Sequence, residues 1–320
     1  MTSYSVVKKK IDDLLVRYDG ILAAYYFSPL DFPEIKSEKF NVKGSKGILR
    51  GNFYFYDDFN ADKFIIFDHG IGAGHLAYFK EIEYLARNGY TVYSYDHTGC
   101  VESDGDGIGG FAQGVCDLDH VVTAIENEKR FEGKDIKVMG HSWGGYSVMN
   151  VVSKHPEITH VVSLSGFISA RSFIEMFLLE DEMKYIDKLM EEERSKNPEY
   201  ADLNAIESLK NSKAKFLYVQ SEDDNIVKYD KCEPVLKEAL KDREGTYFVT
   251  MTGRGHNPQY MDEAVVALNK MQADLISLTE KNKLNSKKEQ EDFKNSQDWD
   301  LITKQDDKLW DKIICFLDEK

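Results

Sequence analysis

The chain has 320 residues, 42% of them hydrophobic, and a formal net charge of −15. That length and apolar content suit one large α/β domain, or such a domain with an inserted cap. The acidic balance argues against nucleic acid or an anionic membrane as a partner, and no stretch is long and apolar enough to span a bilayer.

Lys8-Lys9-Lys10 sits near the start, but Asp12 and Asp13 interrupt what would be the apolar core of a signal peptide. The segment therefore reads as uncleaved and the protein as cytoplasmic. Cys100, Cys116, Cys232 and Cys315 are scattered, with no C-x-x-C and no Cys/His cluster, which speaks against a disulfide framework and a zinc site. Cys116 and Cys315 fall among apolar helix positions and read as buried free thiols.

Tyr4, Val7, Ile11, Leu14 and Tyr18 recur at helical spacing and predict an amphipathic helix over Thr2 to Tyr18. Ile21 to Phe27 and Gly47 to Tyr56, rich in Tyr, Phe and Ile, read as strands. Phe64 to Phe67 is wholly apolar, as in a strand buried on both faces. It runs into Asp68-His69-Gly70-Ile71-Gly72, after which Phe79, Ile82, Leu85 and Ala86 mark a helix stopped by Gly89. A strand over Thr91 to Tyr95 leads to a loop, Asp96 to Gly110, rich in glycine and acid. Asp104-Gly105-Asp106-Gly107 fails the calcium-loop pattern because Ile108 and Val115 stand where ligands are needed, so the stretch reads as a flexible loop tied at Asp96.

Val115, Leu118, Val121 and Ile125 mark the next helix. Ile136 to Met139 is a strand that ends in Gly140-His141-Ser142-Trp143-Gly144, and a helix follows over Tyr146 to Lys154. A strand over His160 to Leu164 completes an alternation of strands and helices, the signature of a parallel sheet covered on both faces. From Phe167 to Lys213 the pattern turns helical and charged, with Met176, Leu179, Met183, Ile186 and Met190 forming one apolar stripe. That stripe reads first as an ordinary amphipathic helix burying its apolar side, and alternatively as a lid whose Met-rich face touches an apolar substrate; the two agree if the lid packs on the site. Strands then return at Lys215 to Val219 and Thr246 to Met251, separated by a helix over Asp230 to Lys241. The remainder is helical and polar, and Leu309, Ile313, Phe316 and Leu317 form a closing helix face.

Strand, G-x-S-x-G, helix is the arrangement of a nucleophile elbow, which lifts a serine hydroxyl clear of the sheet edge. At ordinary glycine usage such a motif arises by chance in about one chain in ten of this length, so partners are required. A serine needs an imidazole to take its proton and a carboxylate to orient that imidazole. His256, in Gly253-Arg254-Gly255-His256 directly after the last strand, has the strongest context of the eight histidines. Asp223 and Asp224 follow the preceding strand and are both candidates for the acid, with Glu222 behind them. The oxyanion needs two backbone N–H groups, one from Trp143 after the nucleophile and one from the early His-Gly loop, where Ile71 is the choice. The Trp143 indole is expected to wall the pocket. No G-x-G-x-x-G and no Walker lysine supports a phosphate cradle at the glycine-rich loop.

His-Gly-Ile-Gly, Gly-His-Ser-Trp-Gly and the Asp/His pair, in this order and strand context, resemble the α/β-hydrolase superfamily. The branch suggested is the lid-bearing one, with serine aminopeptidase-like hydrolases, monoacylglycerol lipase-like enzymes and small carboxylesterases. The resemblance implies an α/β fold with a mostly parallel eight-stranded sheet, helices on both faces and a helical lid. It divides the chain into core (1–166), lid (167–213) and core again (214–320). In the family the acid stands three residues before a Val at the strand's end; with Val227 as that Val, the acid is Asp224. The catalytic set is then Ser142, Asp224 and His256, with Ile71 and Trp143 at the oxyanion.

The activity implied is that of a serine hydrolase acting through an acyl-enzyme on carboxylic esters with small or medium acyl chains, with no metal or organic cofactor. The alternatives are an aminopeptidase-like amidase, with Glu180, Asp181 or Glu182 receiving a substrate amine, an acyl thioesterase, and a non-catalytic binding protein on the same fold. One departure from the family is an extra polar, helical stretch near 259–298, readable as an added arm, a homodimer contact or a second flap.

Overall fold

The structure, a computed structural model, describes residues 2–19, 27–72 and 74–319. Among these residues ten strands follow in chain order: β1 (Lys36–Lys39), β2 (Val42–Gly44), β3 (Gly47–Leu49), β4 (Gly51–Phe55), β5 (Phe64–Asp68), β6 (Thr91–Tyr95), β7 (Ile136–His141), β8 (Ile158–Leu164), β9 (Lys215–Ser221) and β10 (Thr246–Met251). The α-helices are α1 (Tyr4–Asp12), α2 (Phe79–Arg87), α3 (Gln113–Glu126), α4 (Trp143–Val151), α5 (Ala170–Phe177), α6 (Ile186–Lys196), α7 (Ala205–Lys210), α8 (Glu233–Ala239), α9 (Asp262–Glu280), α10 (Lys287–Asn295), α11 (Trp299–Ile302) and α12 (Asp307–Leu317).

Eight strands form one sheet in the order β1-β4-β6-β5-β7-β8-β9-β10. From β6 to β10 every pairing is parallel, while β4 runs antiparallel to both its neighbours. Alternation along each inner strand sorts its side chains between two cores. Phe64, Ile66, Val138, Val161 and Phe216 join α3 and α4 on one face. Ile65, Phe67, Met139, Val162 and Leu217 join α2 and α12 on the other. Because both faces are covered, β5, β6 and β7 are buried along their whole length. Full burial of each such aliphatic or aromatic side chain contributes about 1.5–3 kcal/mol relative to exposure. On the second face α12 seats Trp310 on Tyr84, with ring centroids 4.7 Å apart.

The chain passes from β5 through α2 to β6 on one side, then crosses through α3 to β7 on the other. The loops after β5 and β7 therefore diverge, and a crevice opens at the carboxyl ends of these strands, where ligands bind in open α/β sheets.

Several expectations change. The strand read over Ile21 to Phe27 lies, except for Phe27, outside the described residues. The strand read over Gly47 to Tyr56 is two strands: β3 pairs with β2 in a hairpin and β4 enters the main sheet. β1, Lys-Ser-Glu-Lys, is an exposed edge strand whose polar side chains offered no apolar signal. The first helix stops at Asp12, and Tyr18 instead donates its N–H to the Gly99 carbonyl at 2.8 Å. The loop read as flexible is tied down: Asp104 pairs with Arg50 at 2.7 Å, and Arg17 donates to the carbonyls of Val101, Ser103 and Gly105. Asp96 accepts from the His75 and Glu102 N–H groups. Cys116 is buried, but Cys315 is exposed because it lies on the solvent side of α12.

Between β8 and β9 the apolar stripe is not continuous. The helix breaks after Phe177, and Leu179 is 61% exposed. α6 buries Ile186, Leu189 and Met190. α1 lies against this insertion, with Lys8 bonded to Glu192 at 2.6 Å and Lys10 to Glu182 at 3.2 Å. The stretch after β10 builds a small core of its own, in which Ala264, Leu268 and Met271 of α9 meet Phe293 and Ile302.

Candidate active site

Ser142 occupies the turn between β7 and α4 with φ +57° and ψ −112°, a backbone conformation that a serine adopts only when its surroundings impose it. The N–H of Ser142 donates to the Leu164 carbonyl at 2.8 Å, and its own carbonyl accepts from Tyr146 at 2.9 Å. The turn closes because glycines flank it. A Cβ on Gly140 would stand 2.4 Å from the Gly144 carbonyl carbon, and one on Gly144 would stand 2.1 Å from the Asp68 carbonyl oxygen.

The loops after β9 and β10 bring the other two residues to the serine. His256 Nε2 lies 2.9 Å from Ser142 Oγ, and His256 Nδ1 lies 3.1 and 3.0 Å from the two oxygens of Asp224. The Asp224 side chain is fully buried. Its Oδ1 also accepts from the Ile226 and Val227 N–H groups at 3.0 and 3.1 Å, so the turn after β9 holds the carboxylate in place. An acceptor-only partner at Nδ1 puts the proton there and leaves Nε2 free to accept from the serine.

Asp223 points elsewhere. Its Oδ1 accepts from the N–H groups of Gly253 and Gly255 at 3.0 and 3.2 Å and from the Ser221 hydroxyl. Burial acts to raise its pKa, but these donors outweigh burial and hold it below the usual carboxylate range. Asp223 thus anchors the loop that carries His256, while Asp224 touches the imidazole.

Ile71 and Trp143, the two residues expected at the oxyanion, flank the serine. Ile71 follows β5 in the cavity wall, and Trp143 opens α4. Among the described residues neither N–H is taken by a protein acceptor. The peptide carrying the Ile71 N–H is fixed from behind. His69 Nδ1 lies 2.8 Å from the Gly70 carbonyl oxygen, and His69 Nε2 accepts from the His97 N–H at 3.0 Å. Burial, with the charge of His97 beside it, pushes the pKa of His69 down to about 3. The ring is neutral, and its partners require the hydrogen on Nδ1. Pinning the Gly70 carbonyl directs the Ile71 N–H the opposite way, because a trans peptide sets the two groups antiparallel.

The indole of Trp143 does not wall the pocket. It is fully buried, donates to the Phe111 carbonyl at 2.6 Å and packs on His97 with centroids 4.5 Å apart. His97 lies between Asp68 at 2.6 Å and Asp117 at 3.2 Å. Burial opposes a charge on its ring, but the two carboxylates raise its pKa to about 10. Held between these two acidic side chains, His97 supports the elbow through Trp143 and the His69 loop through its own N–H.

Two residues escaped the sequence reading. Tyr78 lies 2.8 Å from His141 Nδ1 and accepts from the Gly70 N–H at 3.2 Å, while His141 Nε2 donates to the His256 carbonyl at 2.7 Å. Burial and the neighbouring His256 push the pKa of His141 down to about 3. The neutral ring thus accepts from Tyr78 and links the loop after β5 to the loop after β10. The available signal was the histidine immediately before the serine; nothing in the sequence marked Tyr78.

The serine opens into a cavity of about 710 Å³, which Phe173 and Phe177 of α5 line together with Leu14, Ile226 and Val266. Among the described residues no methionine lines it, so the expected Met-rich contact is replaced by phenylalanines. Glu180 and Asp181 are exposed and do not line the cavity, and Glu182 caps the Leu179 N–H at 2.9 Å and pairs with Lys10. Among the described residues the group with metal-ligand spacing is Glu126, His155 and Glu157. It is not part of the cavity lining, and His155 is already bonded to Asp119 at 2.6 Å.

Residues 60–199 match the serine aminopeptidase (S33) family. A sequence search of curated proteins finds no match. By structure the chain is similar to an esterase of Pyrococcus furiosus, at 18% identity and a TM-score of 0.57, over 80% of this chain and 95% of that one. It is also similar to an acylaminoacyl peptidase of Pyrococcus horikoshii (18% identity, TM-score 0.53, 70% of this chain and 38% of that one). A third likeness is to a puromycin-hydrolysing peptidase of Mycobacterium tuberculosis (16% identity, TM-score 0.52, 69% and 36%). The mostly parallel eight-stranded sheet, with the serine elbow at its switch point, and the likeness to these structures give this chain the α/β-hydrolase fold.

Proposed function

We propose that the protein is a serine hydrolase that works through an acyl-enzyme on carboxylic esters with small or medium acyl chains. The observation that carries the reading is the unbroken line of hydrogen bonds from Ser142 Oγ through His256 to Asp224, at 2.9 Å and 3.0–3.1 Å. Ser142 Oγ bonds to the carbonyl carbon as its proton passes to His256 Nε2, and the carbonyl π electrons move onto oxygen. The N–H groups of Ile71 and Trp143 receive that oxyanion. The bond to the leaving oxygen then breaks, and His256 returns the proton to it. Water repeats the sequence with His256 as base and releases the acid and free Ser142. Throughout, Asp224 holds the imidazole and stabilises its charged form. The cavity volume lies within the range of small-molecule sites, and its phenylalanines suit an apolar acyl chain. The segment 167–213 serves as the lid in this reading.

A fluorophosphonate probe tests the nucleophile. The intact protein is expected to be labelled, and Ser142→Ala to lose both the label and ester hydrolysis. An unlabelled protein favours a non-catalytic binding protein, and ester hydrolysis unchanged in Ser142→Ala overturns Ser142 as the nucleophile. An aminopeptidase-like amidase is the second reading, supported by one observation: the Asp223 carboxylate lines the cavity. Its Oδ1 is committed to the His256 loop, which favours the ester reading. A panel of esters, thioesters and aminoacyl amides ranks the three chemistries by kcat/KM.

A further inference from the structure

One wall of the cavity comes from the polar stretch that departs from the family pattern. Val266, Asn269 and Gln272 recur every three residues along one exposed face of α9, and all three line the cavity. The other face is occupied, since Ala264, Leu268 and Met271 pack into the stretch's own core. Helical periodicity then leaves the two amides no inward alternative. Asn225 and Asn257, from the loops carrying Asp224 and His256, line the same cavity. Among the described residues none of these four side-chain amides has a hydrogen-bond partner in the protein. Each offers one acceptor and two donor hydrogens. The charged side chains of the lining are engaged. Arg254 pairs with Asp262 at 3.0 Å and Asp306 at 2.9 Å, and Asp223 accepts from the His256 loop.

We infer that α9 forms the leaving-group subsite, and that the substrates join an apolar acyl group to an uncharged leaving group that both donates and accepts hydrogen bonds. The inference rests on the serine-hydrolase reading above. His256 Nε2 delivers the proton to the departing oxygen, so the departing group leaves on the imidazole side of Ser142; Asn257 adjoins His256 in the chain, and α9 is tied to the same loop where Asp262 pairs with Arg254 at 3.0 Å. The acyl chain is then assigned to the apolar part of the lining, Phe173, Phe177 and Leu14, which come from other elements of the chain. A free amide discriminates strongly only against a partner that leaves it unpaired, and a hydroxyl or an amide on the leaving group satisfies it where an alkyl chain does not.

The test uses three butyrate esters, of ethylene glycol, of N-acetylethanolamine and of propanol; the first two separate a hydroxyl from an amide. The wild type is expected to favour one or both polar esters over the propyl ester. Asn269→Leu combined with Gln272→Leu is expected to lower kcat/KM for the favoured ester by about tenfold, the worth of roughly one hydrogen bond. The propyl ester and the acyl-length optimum stay unchanged. Phe177→Ala is expected to do the reverse, shifting acyl length and leaving the leaving-group ratio alone. Both amides are exposed, so the fold tolerates the change; circular dichroism checks this, and Asn269→Ser repeats the measurement with a smaller perturbation. An unmoved ratio, or a shift in acyl length instead, overturns the inference. Failure of the serine-hydrolase reading shows separately, as a propyl ester cleaved equally by Ser142→Ala.

Discussion

Asp223 and Asp224 are neighbours in the chain with different partners in space, so changing each to Asn separates their roles. In Asp224→Asn the remaining oxygen still accepts from Ile226 and Val227, as Oδ1 does now at 3.0 and 3.1 Å. The new NH₂ then takes the place of Oδ2, 3.0 Å from His256 Nδ1. Two donors cannot face each other, so the ring moves its hydrogen to Nε2 and presents a donor to Ser142 where a base is needed. The side chain is fully buried, so no water repairs the mismatch. The equivalent change in a well-studied triad costs about 10⁴ in kcat, or about 5.4 kcal/mol in the barrier. Asp223→Asn keeps an oxygen for the Gly253 and Gly255 N–H groups, so the loss is expected to stay under about tenfold. Steady-state hydrolysis of p-nitrophenyl butyrate, with fluorophosphonate labelling to count competent sites, reads both. A larger loss in Asp223→Asn, or an Asp224→Asn variant keeping a tenth of the activity, would refute the assignment of the acid.

Three further outcomes follow from the geometry. His141→Phe keeps the ring but leaves the Tyr78 hydroxyl and the His256 carbonyl without their partner; about 1–3 kcal/mol of stability and roughly tenfold in kcat should go, read by urea melts and turnover, and unchanged values in both would sever the proposed link between the loops. Gly144→Ala places a Cβ 2.1 Å from a backbone oxygen of β5; this overpacking should cost roughly 3 kcal/mol, seen as a lowered Tm or insoluble expression. Burial acts against a charge on His155, but Asp119 and Glu126 outweigh it and raise its pKa. A folded pKa above the unfolded value of about 6.5 gives stabilisation that is complete below that pH and lost as pH rises through the folded pKa. Thermal melts from pH 6 to 9 should therefore flatten in His155→Gln, and a variant that keeps the wild-type slope rules this group out.

What could be read from the sequence is what short segments specify. Phe64 to Phe67 and Ile136 to Met139 read as strands because burial on both faces demands unbroken apolar runs. Gly140 and Gly144 marked the elbow because the turn excludes a Cβ within a few residues of itself. Ser142 stands directly after such a strand, while His256 follows β10, a partly exposed strand readable from its aromatic and β-branched residues. The polar edge strand β1 carried no apolar signal, and the break after Phe177 overrode a methionine stripe whose spacing alone predicted a continuous face. Which of two adjacent carboxylates reaches the imidazole depends on the turn through Ile226 and Val227. The roles of Tyr78 and His141 depend on loops far apart in the chain, and Trp143 turned inward because the Phe111 carbonyl was there to accept its N–H. Whether the polar stretch after β10 was an arm, a subunit contact or a flap was undecidable from composition. In the tertiary structure one face of α9 packs with Phe293 and Ile302 and the other lines the cavity into which the serine opens, because only packing between distant segments assigns a helix face to a cavity.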